Sequence, residues 1–261
     1  MSDSVLVERD GAIVVLTLNR PDVLNALDLE LSEALRTALR AAEADATVRC
    51  VVLRGAGRAF MAGGDVRGFH RELGHIEQAA GDLIDSFHEA IEVVVRMPKP
   101  VLASVQGAVA GAGLSLALAA DLAIAADDAF FTLAYANIGI SPDGGSTWSL
   151  PRIVGRRRAM ELAMLADRFD AAKALDLGIV NRVVPADGLE AETAALAKRL
   201  ASGPTRAYAA TKMLITGSFD RTLPGQLDLE RERFVDGTAT RDFREGVTAF
   251  VEKRKPDFRG E

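Results

Sequence analysis

The chain is poor in the residues that build metal and redox centres. It has one cysteine and three histidines in 261 residues. Cys50 has no partner for an internal disulfide, and in the apolar run "CVVL" it reads as a small core residue, which fits a reducing compartment. His70, His75 and His88 pair with no second ligand at metal spacing, so no metal is expected and each reads as a surface or loop residue. Positive charge is also scarce: 31 Lys and Arg against 37 Asp and Glu leave a net charge of −6. With no basic, aromatic-laced stripe, nucleic acid and anionic membrane are poor candidates as partners. The opening "MSDSVLVERDGAIVV" lacks a basic segment followed by an apolar one, so no signal peptide is read and a cytoplasmic location is expected.

Nucleotide loops are missing too. "GAGLSL" follows a strand-like run, but the third glycine of G-x-G-x-x-G would fall on Leu116. Neither a phosphate-binding G-x-x-x-x-G-K-[ST] nor a G-x-S-x-G nucleophile turn occurs, and no serine or cysteine has an evident base. Residues 101–120 carry no charge, which is long enough to span a bilayer. The run is nevertheless mostly Ala, Gly and Ser, with Gln106 and glycines at 107, 111 and 113, so a buried strand, turn and helix is the better reading.

What is present is alternation. "VLVERDGAIVVLTLNRP" predicts two strands joined at a turn, 27–45 a helix with Asp28 as a possible cap, and 49–55 a buried strand. A glycine-rich loop at 57–69, a helix at 82–97, a strand at "VLASVQG" and a helix at "GAGLSLALAAD" follow, then strands at "LAIAAD" and "AFFTLA". Beyond about residue 144 strand signals nearly vanish; 147–166, 171–177, 187–202, 204–216 and 240–254 look helical. The pattern predicts an α/β core with parallel strands, set at 1–200, and a C-terminal helical region at 201–261.

Two glycine turns, "MAGGD" (61–65) and "QGAVAGAG" (106–113), each follow a buried strand. Glycines there serve tight turns and close helix packing, or let a ligand oxygen approach bare N–H groups that together form an oxyanion hole. "GISPDGGSTW" (139–148) places Asp143 between a proline and two glycines, where it is a helix cap, a turn residue or a group that moves protons.

Together, "TLNRPDVLNAL", "GRAFMAGGD", "VQGAVAGAGLSLALAADLAIA", "GISPDGGSTWSLPRIVG" and "FREGVTAFVEKRKPDF" resemble the crotonase (enoyl-CoA hydratase/isomerase) superfamily almost end to end. "PDGGSTW" and "QLDLERERF" are most similar to its phenylacetate-pathway and enoyl-CoA isomerase branch. The resemblance implies a crotonase-like spiral of β-β-α units. It also implies an acyl-CoA substrate, no separate cofactor, and a homotrimer or dimer of trimers. It assigns the oxyanion hole to the N–H groups of Gly64 and Ala112. Leu24, Ala26 and Ala62 fall to the CoA-binding loop, with Asp65 as the structural acid beside it, and Phe250 and Lys253 to a cover over a neighbouring subunit's CoA.

Two departures matter. Hydratases of this superfamily carry two glutamates that position water; Ser115 and Tyr135 stand at those places here. Water addition needs one group to activate water and one to deliver a proton. Asp143 is left, at the place where the isomerase branch carries its working aspartate, so a one-base isomerase is the expected activity. A weak hydratase and a non-catalytic acyl-CoA-binding protein are the alternatives. A dehalogenase of the chlorobenzoyl-CoA branch would need a histidine and a tryptophan at the site. Trp148, read as a core or pocket-wall residue, lies five positions past Asp143 at a different spacing, and His88 sits on no matching motif.

Overall fold

The computed structural model describes residues 3–261. Its main sheet runs β1 (Val5–Asp10), β2 (Ile13–Leu18), β3 (Cys50–Gly55), β4 (Val101–Val105), β6 (Leu122–Ala126) and β9 (Arg182–Val184), parallel except for the β1–β2 hairpin. A smaller sheet joins β5 (Ala108–Ala110), β7 (Phe130–Thr132) and β8 (Phe169–Asp170).

The central strands are apolar at nearly every position because both of their faces are covered. Val51 and Leu53 of β3 face one core cluster with Leu16, Leu18, Val101 and Ala103. The alternate residues Cys50 and Val52 face a second cluster with Leu102, Ile124 and the helix Leu189–Ala201. Burial pushes the Cys50 thiol up to about 12, so it serves as packing and not as a thiolate.

The three central turns of the chain each add one strand to the main sheet, one strand or bridge to the small sheet, and then a helix. β3 is followed by the Met61–Val109 bridge and the helices Val66–Arg71 and Ile76–Arg96. β4 is followed by β5 and the helix Ala112–Ala119; β6 by β7 and the helix Ser146–Val154. Every crossing from the main sheet to the small one ends in a sharp backbone turn, and the candidate groups sit at these crossings.

The first long helix is Leu29–Ala44. Asp28 caps it, accepting from Leu31 N–H, and Leu31, Leu35, Leu39 and Ala42 form its buried stripe. Buried Lys99 closes the other end, its Nζ donating to the carbonyls of Ala42, Glu43 and Asp45 at 2.6, 2.9 and 2.6 Å.

Several expectations change. The helix read at 82–97 begins at Ile76. The stretch 147–166 is two helices, Ser146–Val154 and Arg156–Leu165, separated at Gly155, which has φ +79°. β8 and β9 exist beyond residue 144; they are two and three residues long and only partly buried, too short to alternate legibly. The helix Leu223–Thr238 carries no signal in the sequence because it buries none of its residues in this chain and shows no apolar stripe. The helices beyond residue 201 attach through Arg49, bonded to Thr205, Gly203 and Phe258, and through the Lys212–Asp121 pair at 2.9 Å. The uncharged run 101–120 resolves into β4, β5 and the helix Ala112–Ala119, and no described helix is long and apolar enough to cross a membrane.

Candidate functional site

The two glycine turns lie back to back. Gly63 has φ +101° and Gly111 φ +49°. A Cβ on Gly63 would stand 3.4 Å from Ala110 O and 3.8 Å from Gly111 Cα; one on Gly111 would stand 3.4 Å from Gly63 Cα. Gly113 is needed for closeness alone, since a Cβ there would meet Met61 O at 2.3 Å. Met61 N–H donates to Ala108 O and Ala110 N–H to Met61 O, which fixes one turn against the other. Among the described residues, neither Gly64 N–H nor Ala112 N–H donates to any acceptor. Ala112 opens a fully buried helix, so its free N–H lies at the positive end of the helix dipole. The Phe69 ring leans over Gly64, 3.3 Å from where a Cβ would be.

The loop with Leu24 and Ala26 reaches the first turn through the backbone: Ala62 N–H donates to Leu24 O at 3.0 Å, and Leu27 and Gly64 form a bridge. Leu24 and Asn25 are left-handed, at φ 55° and 56°. Asn25, fully buried, holds this conformation. Its Oδ1 accepts from Arg20 N–H, and its Nδ2 reaches the carbonyls of Ala56, Ala59 and Phe60 at 2.9, 2.8 and 3.1 Å. Those partners lie 31 to 35 residues away, so no local signal marks Asn25. Asp65 is occupied within the chain: it caps the helix Val66–Arg71 through Gly68 N–H and pairs with Arg20 at 3.5 Å. Burial opposes its ionisation, but Gly68 N–H and Arg20 outweigh that and hold its carboxyl below the usual range.

Asp143 does not cap the helix behind it. That helix has Gly145 at its N-cap and no side-chain cap bond. Instead the Asp143 main-chain carbonyl accepts three bonds, from Ser146 N–H at 3.2 Å, Ser146 Oγ at 2.9 Å and Ser115 Oγ at 3.0 Å. Its carboxylate Oδ1 accepts from the Tyr135 hydroxyl, which also lies 3.2 Å from Ser115 Oγ. Tyr135 is 8% exposed and Ser115 1%. Burial, then the adjacent Asp143 charge, pushes the Tyr135 phenol well above its ordinary value, so it is a donor and not an anion. Ser115 and Tyr135, at the two positions that hydratases fill with glutamate, therefore meet each other and Asp143. They also adjoin the second glycine turn: Ser115 lies three residues past Ala112, and the Tyr135 ring stands 3.9 Å from where a Gly111 Cβ would be.

Gly144, at φ +58°, fits against Phe87 and Ser115, and its N–H donates to His88 Nε2 at 3.2 Å. The fold thus brings His88, unmarked in the sequence, beside Asp143. Of the two readings of Trp148, pocket wall holds and core does not: it is 38% exposed, with the Arg152 guanidinium 4.1 Å over its ring, and it lines a cavity. Phe250 is 85% exposed at the end of the helix Arg241–Glu252, and Lys253, also exposed, follows at its C-cap. No group of three or more His, Cys, Asp or Glu side chains among the described residues could hold a metal. A cavity of about 320 Å³ between Trp148, Arg152, Ile179 and Phe219 contains none of Gly64, Ala112 or Asp143 in its walls.

Strand–strand–helix turns with two free N–H groups at abutting glycines define a protein of the crotonase fold, and solved structures agree. An enoyl-CoA hydratase from Polaromonas sp. JS666 superposes with a TM-score of 0.94 at 38% identity, covering 98% of this chain and 99% of that one. The family model for enoyl-CoA hydratase/isomerase matches residues 8–261, and the chain belongs to that family. Curated relatives carry names of both activities. The 1,2-epoxyphenylacetyl-CoA isomerase of Escherichia coli K12 is 38% identical over 100% of both chains. A probable enoyl-CoA hydratase of Rhodobacter capsulatus is 41% identical over 98% of each. The trans-2-decenoyl-[acyl-carrier-protein] isomerase of Streptococcus mutans is 36% identical over 98% of each.

Proposed function

We propose that this protein is an isomerase of unsaturated acyl-CoA thioesters that uses Asp143 as its single base. The observation that carries this reading is the direction of the Asp143 carboxylate. It is bonded to Tyr135 beside the Gly63 and Gly111 turns and leaves its own helix uncapped. In the proposed reaction the thioester oxygen sits between Gly64 N–H and Ala112 N–H. Asp143 takes a proton from C2 of a 3-enoyl chain, and the C–H electron pair moves into the thioester, whose enolate oxygen the two N–H groups stabilise. The same carboxyl returns the proton at C4, the carbonyl re-forms, and the double bond lies at C2–C3. No water is consumed and no cofactor is needed.

Hydration is disfavoured by the same arrangement. Ser115 and Tyr135 supply hydroxyls, not carboxylates, and both are already engaged with Asp143. The name of the Escherichia coli relative puts a ring-epoxide phenylacetyl thioester beside the straight-chain enoyl thioesters as a substrate class. The loop of Leu24, Ala26 and Ala62 is assigned to the CoA moiety and Asp65 to the support of that loop. Phe219, Leu223, Phe234, Phe250 and Val251, all more than half exposed, support a trimer or dimer of trimers, with Phe250 and Lys253 reaching a neighbour's CoA.

The test is a thioester panel of 3-enoyl-CoA, ring-epoxide phenylacetyl-CoA and crotonyl-CoA, run with the protein and with Asp143→Asn. Isomerisation should exceed water addition and fall by at least about 100-fold in the variant. Unchanged turnover in Asp143→Asn, or hydration of crotonyl-CoA as the dominant activity, overturns the assignment.

A further inference from the structure

We infer that Tyr135 is a positioning residue that reserves one oxygen of Asp143 for the travelling proton and makes the transfer internal. The inference rests on Asp143 being the base, and it adds how that base is held.

An ionised carboxylate only accepts, so the hydrogen between Tyr135 and Asp143 Oδ1 belongs to the phenol. Toward Ser115, 3.2 Å away, the phenol oxygen can then only accept. Ser115 has one hydrogen for three acceptors: Gly111 O at 3.3 Å, Asp143 O at 3.0 Å and the Tyr135 oxygen. Its shortest bond is to the Asp143 main chain. Ser115 and Ser146 therefore fix the backbone of Asp143, and Tyr135 fixes its carboxylate.

A substrate proton has two places to land. On Oδ1 it would weaken the Tyr135 hydrogen bond, because the hydroxyl oxygen of a neutral carboxyl is a poor acceptor. On Oδ2 nothing moves, because Oδ1 remains an acceptor in both protonation states. Oδ2 has no protein hydrogen bond among the described residues. An aspartate χ2 is a broad torsion, so a free carboxylate exchanges its oxygens readily. The phenol blocks that rotation, and Tyr135 is itself held, 8% exposed, with Ala134 before it at φ +46° and its ring against Gly111. A proton taken by Oδ2 at C2 therefore stays facing the enolate and is returned at C4 before it is lost to water.

The experiment follows a label. The 3-enoyl-CoA carrying two deuterons at C2 is turned over in ordinary water, and early product is analysed by mass. With internal return the product keeps both deuterons. Tyr135→Phe removes the hydroxyl and little else; the doubly labelled fraction should fall about threefold or more. kcat should fall with KM nearly unchanged. Because a hydrogen bond to the ionised form favours that form, the acidic limb of the kcat/KM profile should move to higher pH. Ser115→Ala, which loosens the backbone and leaves the phenol bond, should lower the rate without lowering the retained fraction. Should Tyr135→Phe not fold, 3-fluorotyrosine at the chain's two tyrosines, with Tyr208→Phe as a control, keeps a stronger donor and should move the acidic limb the opposite way. Equal label retention and an unshifted profile in Tyr135→Phe, or an unshifted profile with fluorotyrosine, overturn the inference. Activity surviving in Asp143→Asn overturns the isomerase assignment instead.

Discussion

Gly144 is the most informative position for a single added methyl group. At φ +58° it sits where an L-residue is strained by about 1–2 kcal/mol. A Cβ there would lie 2.5 Å from Phe87 Cε1 and 2.8 Å from Ser115 Cβ. Phe87 is fully buried and Ser115 is tied to Asp143, so neither moves freely, and overpacking of this kind costs about 1–3 kcal/mol. Gly144→Ala should therefore lose about 2–5 kcal/mol in urea unfolding. If the loop yields instead, it carries Asp143 with it, and a displacement near 1 Å costs about 100-fold in rate. Gly139→Ala separates the two components. Gly139 has φ +75° and no atom within 4 Å of a Cβ, so it should lose only the conformational part, about 1–2 kcal/mol. The assay is the unfolding midpoint and the isomerisation rate of both variants. If Gly144→Ala matches Gly139→Ala in both, the close packing of Gly144 between Phe87 and Ser115 does not hold Asp143 in place.

Two further outcomes follow from contacts away from Asp143. Asn25→Ala removes the amide whose two hydrogens are shared among three carbonyls, two of them buried, and which tolerates a left-handed backbone; it should cost about 2–4 kcal/mol by denaturant titration while raising KM more than it lowers kcat. Glu245 is held at about 2, first by Arg254 and then by Asp257 N–H, below the ordinary 4.5. Its folded value is the lower one, so its contribution is complete above pH 4.5 and is lost as pH falls toward 2. Acid-induced loosening of the C-terminal segment, read by amide exchange between those pH values, should be flatter in Glu245→Gln.

Much of the fold was legible because its signals are local. The leucine stripe of Leu29–Ala44 and its cap Asp28 are neighbours in sequence, and the doubly covered strands are apolar at consecutive positions. The elements that escaped, β8, β9 and the helix Leu223–Thr238, have no periodicity within one chain to betray them.

The site divides along the same line. The sequence by itself located both glycine turns, the aspartate after Pro142, and the hydroxyl residues standing where glutamates were sought, because residue type and spacing carry those facts. Whether Asp143 served its own helix or another group depended on where Tyr135 lay, and spacing cannot report that. Only the tertiary structure decided it. β7 and the turn behind it bring Tyr135 against the Gly111 turn, Ser115 and Ser146 hold the Asp143 carbonyl, and the buried phenol gives its hydrogen to the Asp143 carboxylate.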